Sequence, residues 1–174
     1  MLLSLLLATT AVIFWMWLVI LPTRVAISCP EGCVCETDGY YVNCSPFNSI
    51  YLIFLTYVRE LVFYSNSKTS LEKDRFISSV LTELQEVSFN DCKIETINLR
   101  AFSGLRKLAI LWICGNRLRE ITPRTFEKMN SLEYLVLVDN FIEYLEVDLL
   151  DGLINLKYFN LMKNKFWLYI QTFS

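Results

Sequence analysis

The sequence predicts an α/β solenoid: a horseshoe with short parallel strands on its concave face and irregular or helical turns on its convex face. Three observations carry that expectation. Leucines return at one fixed interval through the second half of the chain, the residues after each of them alternate as a strand must, and a dense cysteine cluster stands ahead of the first copy.

The interval comes first. Leu84, Leu108, Leu132 and Leu156 are spaced 24 residues apart. In register the segments read LQEVSFNDCKI, LAILWICGNRL, LEYLVLVDNFI and LKYFNLMKNKF, each a variant of LxxLxLxxN/CxL, the pattern of a leucine-rich repeat. An earlier copy, VRELVFYSNSK, starts at Val58 and is followed by 26 residues before the next start. Repeats therefore begin at 58, 84, 108, 132 and 156, the last incomplete, within a repeat region 58–174.

Within a repeat, side chains on a strand alternate between faces. Leu111 and Ile113 are expected to enter the core while Trp112 points out. Asn116, Asn140 and Asn164 fall in the turn after each strand, where an amide can satisfy backbone groups left unpaired as the chain leaves the sheet. Cys92 holds this place in its own repeat and reads as structural. The second halves are regular too. Ile97, Ile121 and Leu145 recur at one offset, and Phe76, Phe102, Phe126 and Leu150 at another, the latter expected to stack as an aromatic spine under the convex side. Their contexts, AFSGL, TFEKM and LLDGL, are turn-like.

The hydrophobic fraction of 54% is high for a soluble domain, and much of the excess lies in the uncharged run 1–21. Residues 1–28 read as a secretory signal, with Ala26 and Ser28 three and one before Cys29, or as a signal anchor about long enough to span a bilayer. Either sends the chain from Cys29 onward into an oxidising compartment. There the cluster Cys29, Cys33, Cys35 and Cys44 reads as a disulfide knot in a cap covering 29–57, against the alternative of a four-cysteine zinc site. Asn43-Cys44-Ser45 is an N-glycosylation sequon whose central residue is itself a candidate disulfide partner.

The cap opening CPEGCVC and closing VNC, followed by 24-residue repeats with AFSGL-type second halves, resembles the extracellular leucine-rich repeat proteins with a cysteine-rich N-terminal cap. Slit, the Nogo receptor and the small leucine-rich proteoglycans are of this type, and the resemblance runs from about Cys29 to Phe166. It implies the pairs Cys29–Cys35 and Cys33–Cys44, where four cysteines alone allow three pairings. It also implies a secreted or cell-surface protein that binds another protein through the concave sheet, with a matrix component of proteoglycan type as the alternative. Two departures stand out. The stretch 45–57 is apolar (IYLIFL) and carries only Pro46. The chain also stops in FWLYIQTF without a second cysteine cap, as a fragment, a truncated isoform, or a repeat array whose last edge is covered by missing repeats or another chain.

Function classes can be narrowed. There is no histidine, which removes Ser-His-Asp and Cys-His catalysis and histidine-ligated zinc. No nucleophile–base pair, phosphate loop or metal cluster is visible, so the chain reads as a non-enzyme without a cofactor. With 16 basic and 18 acidic residues, unclustered, it has no footprint for nucleic acid, and no membrane contact is expected beyond an N-terminal anchor. The outward strand positions instead bring Ile110, Trp112, Tyr134, Val136, Val138 and Tyr158 into one apolar, aromatic patch, the expected partner-binding surface, with Glu86, Asp91, Glu133 and Asp139 as its polar rim. Cys114 lies among them as an outward thiol.

Overall fold

The computed structural model describes residues 29, 32–36, 40–45, 58–64, 69–72, 76 and 81–166. The signal or anchor segment 1–28, most of the apolar stretch 45–57 and the final 167–174 lie outside them. Among the described residues no helix is long and apolar enough to cross a membrane.

One seven-stranded sheet organises the molecule. Its strands are β1 (Cys33–Cys35), β2 (Tyr41–Cys44), β3 (Glu60–Tyr64), β5 (Glu86–Asn90), β7 (Ile110–Cys114), β8 (Tyr134–Val136) and β9 (Tyr158–Asn160), in that spatial order. From β2 onward every pairing is parallel and advances by one repeat: Glu60 pairs with Glu86, Glu86 with Ile110, Ile110 with Tyr134 and Tyr134 with Tyr158. β1 pairs with β2 antiparallel and so closes the start of the sheet as a hairpin. Two disulfides fasten that hairpin, Cys29–Cys35 and Cys33–Cys44. They consume all four thiols that a zinc site would need. A feature the repeat pattern did not announce is a second parallel pair on the flank, β4 (Ser70–Leu71) with β6 (Thr96–Ile97).

The core lies between sheet and convex turns. Leu84, Leu108 and Leu132, the repeat starts, are completely buried, as are Val87, Leu111, Leu135, Phe89, Ile113 and Leu137 on the inward strand positions. Phe76, Phe102 and Phe126 form the convex spine, with ring centroids 5.7 Å and 6.4 Å apart, and Phe63 stacks on Phe89 at 5.0 Å. Leu150 departs from expectation. It is 38% exposed, and Leu149 beside it is buried instead. Phe76 is covered by Phe102 and Phe102 by Phe126, and no aromatic ring lies over Leu150 among the described residues. The same holds more mildly for Leu145, half-buried where Ile97 and Ile121 are buried.

The asparagine turns are built as a ladder. Asn116 Oδ1 accepts from the backbone N–H of Cys92 (3.1 Å) and Ile94 (3.0 Å), while its Nδ2 donates to the carbonyls of Phe89 and Cys114, both at 2.9 Å. Asn140 and Asn164 repeat the motif one and two turns on, donating to Ile113 and Leu137 and accepting from Leu118 and Ile142. Cys92 keeps the same address with a weaker donor. Its thiol points to the carbonyl of Phe63, 3.3 Å away, the equivalent carbonyl of the preceding repeat. Just before each rung the chain turns through a left-handed residue: Asp91, Gly115, Asp139 and Lys163, with φ of 54°, 65°, 59° and 58°. At Gly115 a Cβ would meet the Asp91 carboxylate, which would have to swing aside, so glycine is the least strained choice at this corner.

Candidate functional site

Strand geometry fixes what the concave face presents. Successive outward side chains form rows that run across the strands, because the register advances by whole repeats. The first row is Glu36, Tyr41, Glu60, Glu86, Ile110, Tyr134 and Tyr158, with Glu36 placed beside Tyr41 by its N–H bond to the Tyr41 carbonyl at 3.1 Å. The second is Val34, Asn43, Val62, Ser88, Trp112, Val136 and Asn160. A third, shorter row holds Tyr64, Asn90 and Cys114.

Exposure varies along the rows. Tyr134 and Tyr158 are 39% and 46% exposed, and Ile110 and Trp112 are half-buried. The two tyrosine rings lean on one another, centroids 6.0 Å apart. Val136 does not belong with them as a contact residue: it is only 2% exposed. Its short side chain sits in register between the Trp112 indole and Asn160, below the level of both, as Val62 and Ser88 sit low in the same row. Val138 lies just past the end of β8 and is half-buried. The expected patch is therefore the first row with Trp112 behind it, and Val136 forms its floor.

One contact that sequence reasoning missed joins the patch to the acidic end. The Trp112 indole N–H donates to Glu86 Oε1 at 2.8 Å. Adjacent acidic positions in one row are visible in the repeat alignment, and a tryptophan diagonal to one of them is the available signal. Glu60 has its carboxyl pKa raised, first by burial and then by Glu86 and Glu36. Of the expected rim, Glu133 is paired with Lys157 at 2.8 Å, while Asp91 and Asp139 serve the left-handed corners. Cys114 is a free thiol, half-buried, with its pKa raised mainly by burial. Asn43 is half-buried on β2 beside Val62, so a glycan on it would rise from the concave face.

A second concavity, about 960 Å³, lies along the flank where the strands end. Its charged groups largely answer each other: Arg117 with Glu95 at 3.6 Å, the Tyr144 hydroxyl donating to Glu120 at 2.7 Å, and Lys165 over the Phe141 ring at 4.4 Å. Among the described residues no group of three or more acidic, cysteine or histidine side chains is placed to hold a metal ion.

Comparison with known proteins agrees with this architecture. Residues 106–166 match the leucine rich repeat family. No curated protein sequence matches the chain. Among solved structures, human 5T4 (Wnt-activated inhibitory factor 1, trophoblast glycoprotein) superposes with a TM-score of 0.61 at 19% identity, covering 81% of this chain and 65% of that one. The crystal structure of a TLR13–ssRNA13 complex gives a TM-score of 0.53 at 22% identity, over 71% of this chain and 21% of that one. The chain thus spans somewhat under two thirds of the 5T4 chain and about a fifth of the TLR13 chain, and the likeness is one of fold.

Proposed function

We propose that this chain, which folds as a leucine-rich repeat solenoid with a disulfide-bonded N-terminal hairpin, is a secreted or cell-surface protein that binds another protein through its concave sheet. In this reading residues 1–28 direct export, 29–57 cap the solenoid and 58–174 carry the repeats. The observation that bears the most weight is the pair Tyr134 and Tyr158, solvent-facing and in contact, flanked by Ile110 and Trp112. Tyrosine and tryptophan on a rigid sheet supply large contact area at small entropic cost, which is how interface anchors work. Disulfides persist in oxidising compartments, which supports the export reading.

The solved TLR13 structure contains single-stranded RNA, yet the concave rows of this chain favour a protein. Among the described residues those rows hold Glu36, Glu60 and Glu86 and no lysine or arginine, the wrong sign for a phosphate backbone. The test is a binding screen of the secreted, tetramerised chain against arrayed extracellular proteins. Tyr134→Ala with Tyr158→Ala, and separately Trp112→Ala with Tyr134→Ala, should weaken any hit by 100-fold or more while each variant still melts in one cooperative transition, an effect of the size interface anchors give. A hit that binds both variants as tightly as the parent rules out this face.

A further inference from the structure

The concave face has a shape and a polarity beyond the aromatic patch. Part of the second row lies low beside the first: Val62, Ser88 and Val136 are 5%, 6% and 2% exposed, while Trp112 and Asn160 are half-buried. The first row is a continuous track across the strands from Glu36 to Tyr158, with Trp112 beside it. The track is anionic at one end and aromatic at the other, with the Glu86–Trp112 hydrogen bond at the junction. Among the described residues no basic side chain forms an ion pair with Glu60 or Glu86, and the nearest basic residue in sequence, Arg59, lies over the Tyr40 ring instead. Glu60 is crowded by two further carboxylates and partly desolvated.

Resting on the concave-face reading, we infer that the partner lays an extended polypeptide segment along this track, with a lysine or arginine against Glu60 and Glu86 and an apolar or aromatic side chain four residues further on against Tyr134 and Tyr158. The spacing follows from strand geometry. Glu60 and Tyr134 are three strands apart, as are Glu86 and Tyr158, and neighbouring strands are about 4.8 Å apart, giving about 14 Å. An extended chain rises about 3.4 Å per residue and returns to the same face at every second one, so positions i and i+4 match in both distance and direction. A cation there replaces repulsion among carboxylates with charge-assisted hydrogen bonds, and the apolar residue covers the tyrosine rings.

A displayed library of random 12-residue peptides, panned on the secreted full chain, tests this. The expected consensus pairs a basic residue with Leu, Phe, Tyr or Trp at i+4. A synthetic consensus peptide should bind about tenfold more weakly to the Glu60→Gln, Glu86→Gln double variant and lose most of its salt dependence. Glutamine keeps the acceptor for Trp112, so the fold and the junction are left in place. Binding that falls with Tyr134→Ala and Tyr158→Ala but ignores the glutamine pair overturns the cation and leaves the concave reading standing. Binding indifferent to both pairs sinks both. An acidic consensus, or no enrichment of the i, i+4 pair, overturns the inference. So does self-association of the parent chain that the glutamine pair abolishes, since the occupant would then be a second copy.

Discussion

Toward the cap, the solenoid is held by covalent and aromatic means: two disulfides pin the β1–β2 hairpin, Phe63 stacks on Phe89, and the rung at Cys92 is a thiol. Toward β9 the rung position is filled by amides instead, and Asn116, Asn140 and Asn164 each hold two neighbouring repeats together. The outer surface changes at the same place. Carboxylates at Glu60 and Glu86 give way to Ile110, Tyr134 and Tyr158 along one continuous row. A repeat specifies backbone and core, and leaves the outward positions free to differ between the two ends. Binding chemistry can therefore vary along a scaffold that does not.

The largest difference between the ends should appear at the rungs. Asn116→Ala removes four hydrogen bonds from a buried turn and leaves the N–H groups of Cys92 and Ile94 without their acceptor. Stranded buried donors cost more than a made bond returns, so a loss of about 3 kcal/mol or more is expected. Cys92→Ala removes one weak sulfur donor and a small buried volume, for about 1–2 kcal/mol. Urea unfolding of the two variants measures this directly. Equal losses would mean that the amide ladder adds nothing over the thiol rung.

At the junction the effect is smaller. Trp112→Phe keeps the ring in place and deletes the indole N–H that Glu86 accepts. A double-mutant cycle with Glu86→Ala should return a coupling of about 0.5–1 kcal/mol, as for a hydrogen bond to a charged group weakened by solvent screening. A coupling of zero would make the two ends of the row independent.

Much of this was legible in the sequence because periodicity reports what is buried. Leu84, Leu108 and Leu132 gave the register, and the asparagine positions gave the turns. The outward row was legible in identity but not in height. A strand pattern says that Val136 faces out, and cannot say that an indole and Asn160 on either side leave it at the bottom of the row. Leu150 failed for a related reason, since burial on the convex side depends on the next repeat as much as on its own. The positive φ at Asp91, Asp139 and Lys163 was hidden because two aspartates and a lysine occupy the corner that Gly115 alone advertises. The Glu86–Trp112 contact joins positions 26 residues apart on adjacent strands, so no local pattern contains it.

The smallest expected effect concerns the cost of the acidic end. Glu60 faces Tyr41 on β2, Glu86 on β5 and Glu36 beside the cap hairpin, and its pKa lies above the ordinary 4.5, chiefly through burial. In the unfolded chain that burial and crowding are gone. Between the unfolded pKa and the raised folded one, the native state holds more protons, so stability falls as pH rises through that window and stays lowered above it. Below the unfolded value both states are protonated and the penalty vanishes. Glu60→Gln carries no such charge. It should melt slightly above the parent at pH 7, and the gap should close as pH falls to about 4, below the ordinary carboxyl value. A gap that persists unchanged at pH 4 would assign the effect to packing. A variant less stable than the parent at pH 7 would mean that Glu60 is stabilised where it sits, and the carboxylates at this end of the row would no longer be a strain that a cationic partner relieves.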